Sequence, residues 1–127
     1  MPHATASDLS TAEAAYLPPN TQEMRASTRL LLAENEPEKL YKAAELERLQ
    51  ETFREHIETL IPAVRARAYV LPQRSADRTA ALAAIVEARN RLSLGNGDND
   101  RVRGAVAVRL AWSLKTLCGH YERMATR

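Results

Sequence analysis

Near the end of the chain six apolar residues, Val106, Leu110, Leu114, Leu117, Tyr121 and Met124, follow one another at steps of 4, 4, 3, 4 and 3. At 3.6 residues per turn such steps confine the side chains to about 80° of arc, the stripe of an amphipathic helix. The stretch Arg101 to Arg127 contains no proline, and its glycines, Gly104 near the start and Gly119 inside, are tolerable at about 1 kcal/mol each relative to alanine. A helix is therefore predicted over the whole stretch. A polar stripe runs beside the apolar one: Arg109, Ser113, Thr116 and His120, at steps of 4, 3 and 4. Those side chains flank the seam on which the helix must pack. Trp112 and Val108 lie on the opposite side.

The same periodicity predicts three earlier helices. Asn20 reads as an N-cap with Glu23 three residues on, opening a helix from Thr21 to Glu34 with Met24, Thr28 and Leu31 on one side. Pro37 sits at a first helical position with Glu38 behind it, where the positive end of the helix dipole favours an acid. From there Leu46, Leu49, Phe53, Ile57, Leu60, Val64, Ala68 and Leu71 keep helical spacing through Pro62. The apolar phase is the same on both sides of that proline. One long helix kinked over Glu58 to Pro62 is predicted, ending before Pro72. Ser75 caps a helix from Ala76 to about Leu94, with Ala81, Leu82, Ile85, Val86, Ala88 and Leu92 on its apolar arc. Gly95-Asn96-Gly97-Asp98 is a break, after which Asp98, Asn99 or Asp100 can cap the last helix. The fold class expected is all-α, an antiparallel four-helix bundle with one proline-kinked helix. Residues 1–19, rich in Ala, Ser, Thr and Pro, read as a flexible tail; residues 20–127 read as one domain.

Composition changes this picture little, and charge changes it more. Residues 1–60 carry six Lys/Arg against eleven Asp/Glu, and residues 61–127 carry twelve against five. A basic half is one mark of nucleic-acid binding. Amphipathic helices of opposite charge packed on one another account for it equally, so nucleic acid is not the expected partner. The single cysteine, Cys118, rules out an intramolecular disulfide framework and a multi-cysteine zinc site. No apolar run approaches the roughly 18 residues a membrane span needs. The start MPHATASDLS lacks the basic and apolar regions of a secretory signal. A cytoplasmic protein is expected.

Candidate chemistry rests on polar residues that helical angle places on apolar arcs. Arg89 falls inside the arc of Leu82, Ile85, Val86 and Leu92, where a guanidinium is costly without a partner. His56 and His120 fall at the edges of their stripes. A carboxylate or phosphate held by Arg89 is one reading; a snorkelling side chain is the other. Neither histidine has a carboxylate one turn away on its own helix, so no metal site is expected. Cys118 and His120, two apart, point to different sides and form no dyad. The ligand-binding candidates are His56, Arg89, Arg109, Ser113, His120 and Tyr121. Val108 and Trp112 are candidates for a partner surface, a homodimer included, because tryptophan is a frequent interface anchor.

Three short motifs then carry a resemblance. Arg54-Glu55-His56-Ile57 with Leu60-Ile61-Pro62, Glu87-Ala88-Arg89, and Leu117-Cys118-Gly119-His120-Tyr121-Glu122 occur in order. Over roughly Leu46 to Met124 the chain resembles an actinobacterial family of small domains of unknown function, labelled natural-product biosynthesis proteins. The resemblance implies a setting in secondary metabolism and no particular reaction. The function expected is a small accessory or regulatory protein that binds an anionic ligand or a partner protein, without a cofactor. A cofactor-free enzyme using an inter-helix His/Arg/Tyr site is the alternative, and a nucleic-acid-binding regulator the second alternative.

Overall fold

A computed structural model of the protein describes residues 18–125. The expected tail lies outside the described residues except for Pro18 and Pro19. Among the described residues all regular structure is helical, in five elements: α1 Thr21–Leu32, α2 Pro37–Leu40, α3 Ala43–Val70, α4 Ala76–Leu92 and α5 Asp100–Ala125. No described helix is long and apolar enough to cross a membrane.

α5 is the element on which the others assemble. Its stripe from Val106 to Met124 is buried as the spacing predicts, and so are Gly104, Ala107, Ala111, Ser113 and Cys118. The buried surface wraps far round the helix because α1, α3 and α4 all pack on it, and α2 crosses it at one end. The crossing is close at Gly104: a Cβ there would lie 3.1 Å from the Glu38 carboxylate and 3.3 Å from the Pro37 ring, so those side chains would have to give by a few tenths of an ångström. Phe53, Ile57, Leu60 and Val64 of α3 meet Leu110, Leu114 and Leu117, all of them fully buried. Each such side chain contributes about 1.5–3 kcal/mol by leaving water. Gln50 of α3 bonds Arg103 near the start of α5, and Arg67 bonds Tyr121 near its end. The two longest helices therefore run in the same direction.

Two expectations about the helices need correction. Four helices were expected; the described residues hold five, because the one expected to start at Pro37 is two. Tyr41 and Lys42 are extended, and the Lys42 N–H is capped by Glu45 Oε1 at 2.9 Å, which starts α3 afresh. From there α3 runs unbroken through Pro62, which is exposed, so the carbonyl that loses its N–H partner faces the wet side.

The second correction concerns α4. Ser75 Oγ accepts from the Arg78 N–H, so the cap is as read, but the buried residues are Ala81, Ile85 and Ala88. Val86 is 61% exposed, and Arg89 is exposed too. The helix is turned toward its alanines, whose small side chains let it approach α3 and α5 closely. Counting Val86 as a core residue had drawn the expected face round toward Arg89.

Side chains from the acidic and basic halves join the helices. Arg25 of α1 grips Glu122 of α5 through Nε at 3.0 Å and a second guanidinium nitrogen at 2.6 Å, a two-pronged bond that holds the Glu122 carboxyl below its ordinary range. Arg103 lies 3.3 Å from Glu47 of α3. Asn99 Oδ1 caps α5 through the Val102 N–H at 2.9 Å.

Candidate functional site

The polar flank of α5 faces a gap between α4 and α5. Arg109, Trp112, Ser113 and Thr116 stand at i, i+3, i+4 and i+7, one face of the helix. α4 presents Ala84, Glu87 and Arg91 in the same pattern, at i, i+3 and i+7. Together they line an open cleft of about 250 Å³. Ala84 provides depth, because a larger side chain there would fill it. On the α4 wall Arg91 is already committed, its guanidinium 2.8 Å from Glu87 Oε1 one turn before it. Among the described residues Arg109, on the opposite wall, has neither a hydrogen bond nor an ion pair. Among the described residues one positive charge at the cleft is left without a partner.

The helical hydroxyls are of two kinds: those of Thr52, Thr59 and Thr116, like that of Ser113, bond to no described residue. Those of Ser27, Thr28 and Thr79 bond back to a carbonyl of the preceding turn at 2.6–3.2 Å, the usual resting place for such a group. Ser113 is 8% exposed, and no described residue bonds to its hydroxyl, which lies on the cleft. Trp112 is half exposed and forms a ridge: the cleft lies on one side, and a groove lined by Arg29 and Leu32 of α1 with Lys115 of α5 lies on the other. Lys115 Nζ stands 5.0 Å from the indole centroid. Arg109 also borders an open recess beside α2, where half-buried Val108 lies near Pro37 and Gly104.

The other sequence candidates do not join this cleft. His120 continues the α5 stripe one turn past Thr116 and is half-buried beyond the cleft's end. Tyr121 is on the buried seam, where the Arg67 guanidinium lies 3.5 Å from its ring centroid and donates to its carbonyl at 2.7 Å. It joins α3 to α5. His56 is half-buried on α3, and Arg89 points to solvent, not into an inter-helix site. Burial pushes the Cys118 thiol up to about 11, so at neutral pH it is not a thiolate nucleophile. Among the described residues no three His, Cys, Asp or Glu side chains cluster as a metal site would require. Sequence reasoning missed Glu87 and Arg91. Their i, i+4 acid–base pairing was the signal available for them.

His120 has a consequence of its own. Burial lowers its pKa, Arg123 lowers it further, and Asp77 opposes both. Folding therefore favours neutral imidazole. Its stabilising effect is complete above the ordinary value of 6.5 and is lost as pH falls below that toward the lowered folded value. The melting temperature is expected to fall between pH 7 and pH 5, and to fall less in His120→Gln. Equal slopes in the two proteins would mean that His120 is not the source.

Comparison with known proteins places the chain. A family of unknown function, DUF6415, matches residues 22–126. The chain belongs to DUF6415. The match takes in all five helices, hence the whole α4–α5 cleft, so the cleft lies within the DUF6415 domain. No curated protein and no solved structure matches the chain.

Proposed function

We propose that this protein is a small accessory or regulatory factor of actinobacterial natural-product biosynthesis, acting in the cytoplasm by binding a ligand or partner on the outer face of α5. The observation that carries the reading is the convergence at one cleft of a half-exposed tryptophan with a guanidinium and a hydroxyl that have no partner among the described residues. Such a mixture of apolar surface and a few directed polar groups is what a binding site requires. Catalysis has less support: the one carboxylate at the cleft, that of Glu87, is paired with Arg91 at 2.8 Å, and His56 and Tyr121 lie elsewhere. The basic half gives less support to nucleic acid than its charge suggests. Arg67, Arg78, Arg91 and Arg103 are engaged in bonds within the chain. The same reading takes the four long helices as an up-and-down bundle with chain neighbours antiparallel. It is supported by Arg25 of α1 meeting Glu122 late in α5, while α2 meets Gly104 early in it.

Deletion of the gene in a producing actinobacterium tests the proposal. Product yield is expected to fall, and to be restored by the wild-type gene and by His56→Ala but not by Trp112→Ala. Circular dichroism should show Trp112→Ala folded, because the side chain is half exposed. Full restoration by Trp112→Ala, or a yield unaffected by deletion, would remove the binding reading.

A further inference from the structure

The cleft between α4 and α5 has a shape and charge that narrow its ligand. We infer that it takes a small aromatic carboxylic acid, with the carboxylate on Arg109 and Ser113 and the ring against Trp112. The inference rests on the reading of the outer face of α5 as the binding face.

Size comes first. About 250 Å³ lies below the roughly 300–1,000 Å³ of sites for drug-sized molecules, which matches a single ring with a short substituent. Charge comes second. Of the two guanidinium groups in the cleft, that of Arg91 is paired with Glu87 at 2.8 Å and that of Arg109 has no partner among the described residues. One positive charge matches one negative charge. A phosphate dianion would bring a second negative charge beside the Glu87 carboxylate, with no cation left to meet it. A carboxylate presents two oxygens to the planar fork of arginine, the geometry that makes such pairs strong.

The hydroxyl gives the third argument. Ser113 is 8% exposed, whereas Thr52, Thr59 and Thr116, whose hydroxyls also bond to no described residue, lie further out, and the other buried helical hydroxyl, that of Thr28, has taken a backbone carbonyl. It stands one turn beyond Arg109 on the same face, where it can donate to an oxygen that the guanidinium also holds. The indole gives the fourth. Lys115 lines the groove on the α1 side of Trp112 and not the cleft, so the ammonium leaves the cleft side of the ring available to an aromatic ligand.

The chain has a single tryptophan, so the indole N–H of the ¹⁵N-labelled protein gives one cross-peak that reports directly on the cleft. Benzoate, 4-hydroxybenzoate, cinnamate and indole-3-acetate are titrated against it, alongside benzamide, cinnamamide and inorganic phosphate. At least one acid is expected to shift the peak saturably with a Kd below about 1 mM, and its amide to bind at least about tenfold more weakly. Arg109→Gln should cost about tenfold or more and Ser113→Ala about threefold, with circular dichroism unchanged. The assignment is overturned if no acid shifts the peak at about 10 mM, if amides or phosphate bind as well as the acids, or if Arg109→Gln binds like wild type. Loss of complementation by Trp112→Ala with no acid bound would leave the accessory role standing and remove the carboxylate. Acid binding with full complementation by Trp112→Ala would do the reverse.

Discussion

Gly97→Ala should destabilise the fold by about 3 kcal/mol or more and lower the melting temperature by about 10 °C. Gly97 has a φ of 105°, a backbone state that costs an L-residue about 1–2 kcal/mol. Space adds to that. A Cβ at Gly97 would sit 2.7 Å from the Arg103 backbone nitrogen and 3.0 Å from its Cα. Those atoms belong to the first turns of α5 and cannot swing aside as a side-chain tip would. Relief needs either the turn or the start of α5 to shift, and the Arg103 carbonyl is bonded to Gln50. Against a total stability of about 5–15 kcal/mol the loss is large. Gly95 is the control two residues away: nothing lies within 4 Å of a Cβ there, and its φ is not positive. Gly95→Ala should melt within about 2 °C of wild type. Equal melting of the two variants would mean that the tight approach of this turn to α5 is not what holds it.

How much of this could be read beforehand depends on how sharply each helix declares its face. α5 declares it well, because leucines, a valine, a tyrosine and a methionine recur on one stripe, and all six are buried. Asn20 and Ser75 could be named as caps because a small polar side chain before a helix has one common use. α3 was legible through Pro62, since an unchanged apolar phase needs a continuous helix. Its start was not. Tyr41 and Lys42 carry no glycine or proline to mark a break, and the only local sign was Glu45 three residues on.

α4 declares its face poorly, and this decided how much of the cleft was visible. Alanines occur all round that helix, so the single exposed Val86 was enough to turn the expected face. The turn that takes Arg89 out to solvent brings Glu87 and Arg91 onto the cleft. An arginine was expected at the seam of α4, and one is there, two residues later and already paired. The α5 wall was half visible: Arg109, Ser113 and Thr116 were a stripe in the sequence. That Trp112 borders the same space depends on α1 and α4 leaving it uncovered between them, which no spacing within α5 encodes.

Gln50→Leu is the second change expected to have a large effect, about 1–3 kcal/mol. Gln50 is fully buried at a position where apolar periodicity would accept leucine. Its Nε2 donates to the Asn96 carbonyl at 2.9 Å and to the Arg103 carbonyl at 2.8 Å, using both amide hydrogens. Leucine fills much of the volume but loses both bonds, each worth about 0.5–1.5 kcal/mol, and leaves the carbonyl of the exposed Asn96 without that donor. One effect works the other way. Gln50 Oε1 is itself buried without a partner, and leucine removes that unmet acceptor. Two lost bonds outweigh one relieved oxygen, so the sign is destabilising. Arg54, one turn further along α3, holds the same loop through Leu94 O at 2.8 Å and Asn96 Oδ1 at 2.7 Å. Once Gln50 has released the loop, Arg54→Met should cost less than it does alone. A double-mutant cycle on Gln50→Leu and Arg54→Met is expected to show coupling of about 1 kcal/mol. Amide exchange at residues 94–99 should rise well before exchange at the centre of α5, because the loop opens while the core stays packed. A Gln50→Leu protein as stable as wild type would mean that burial alone, not the two carbonyl bonds, accounts for this position.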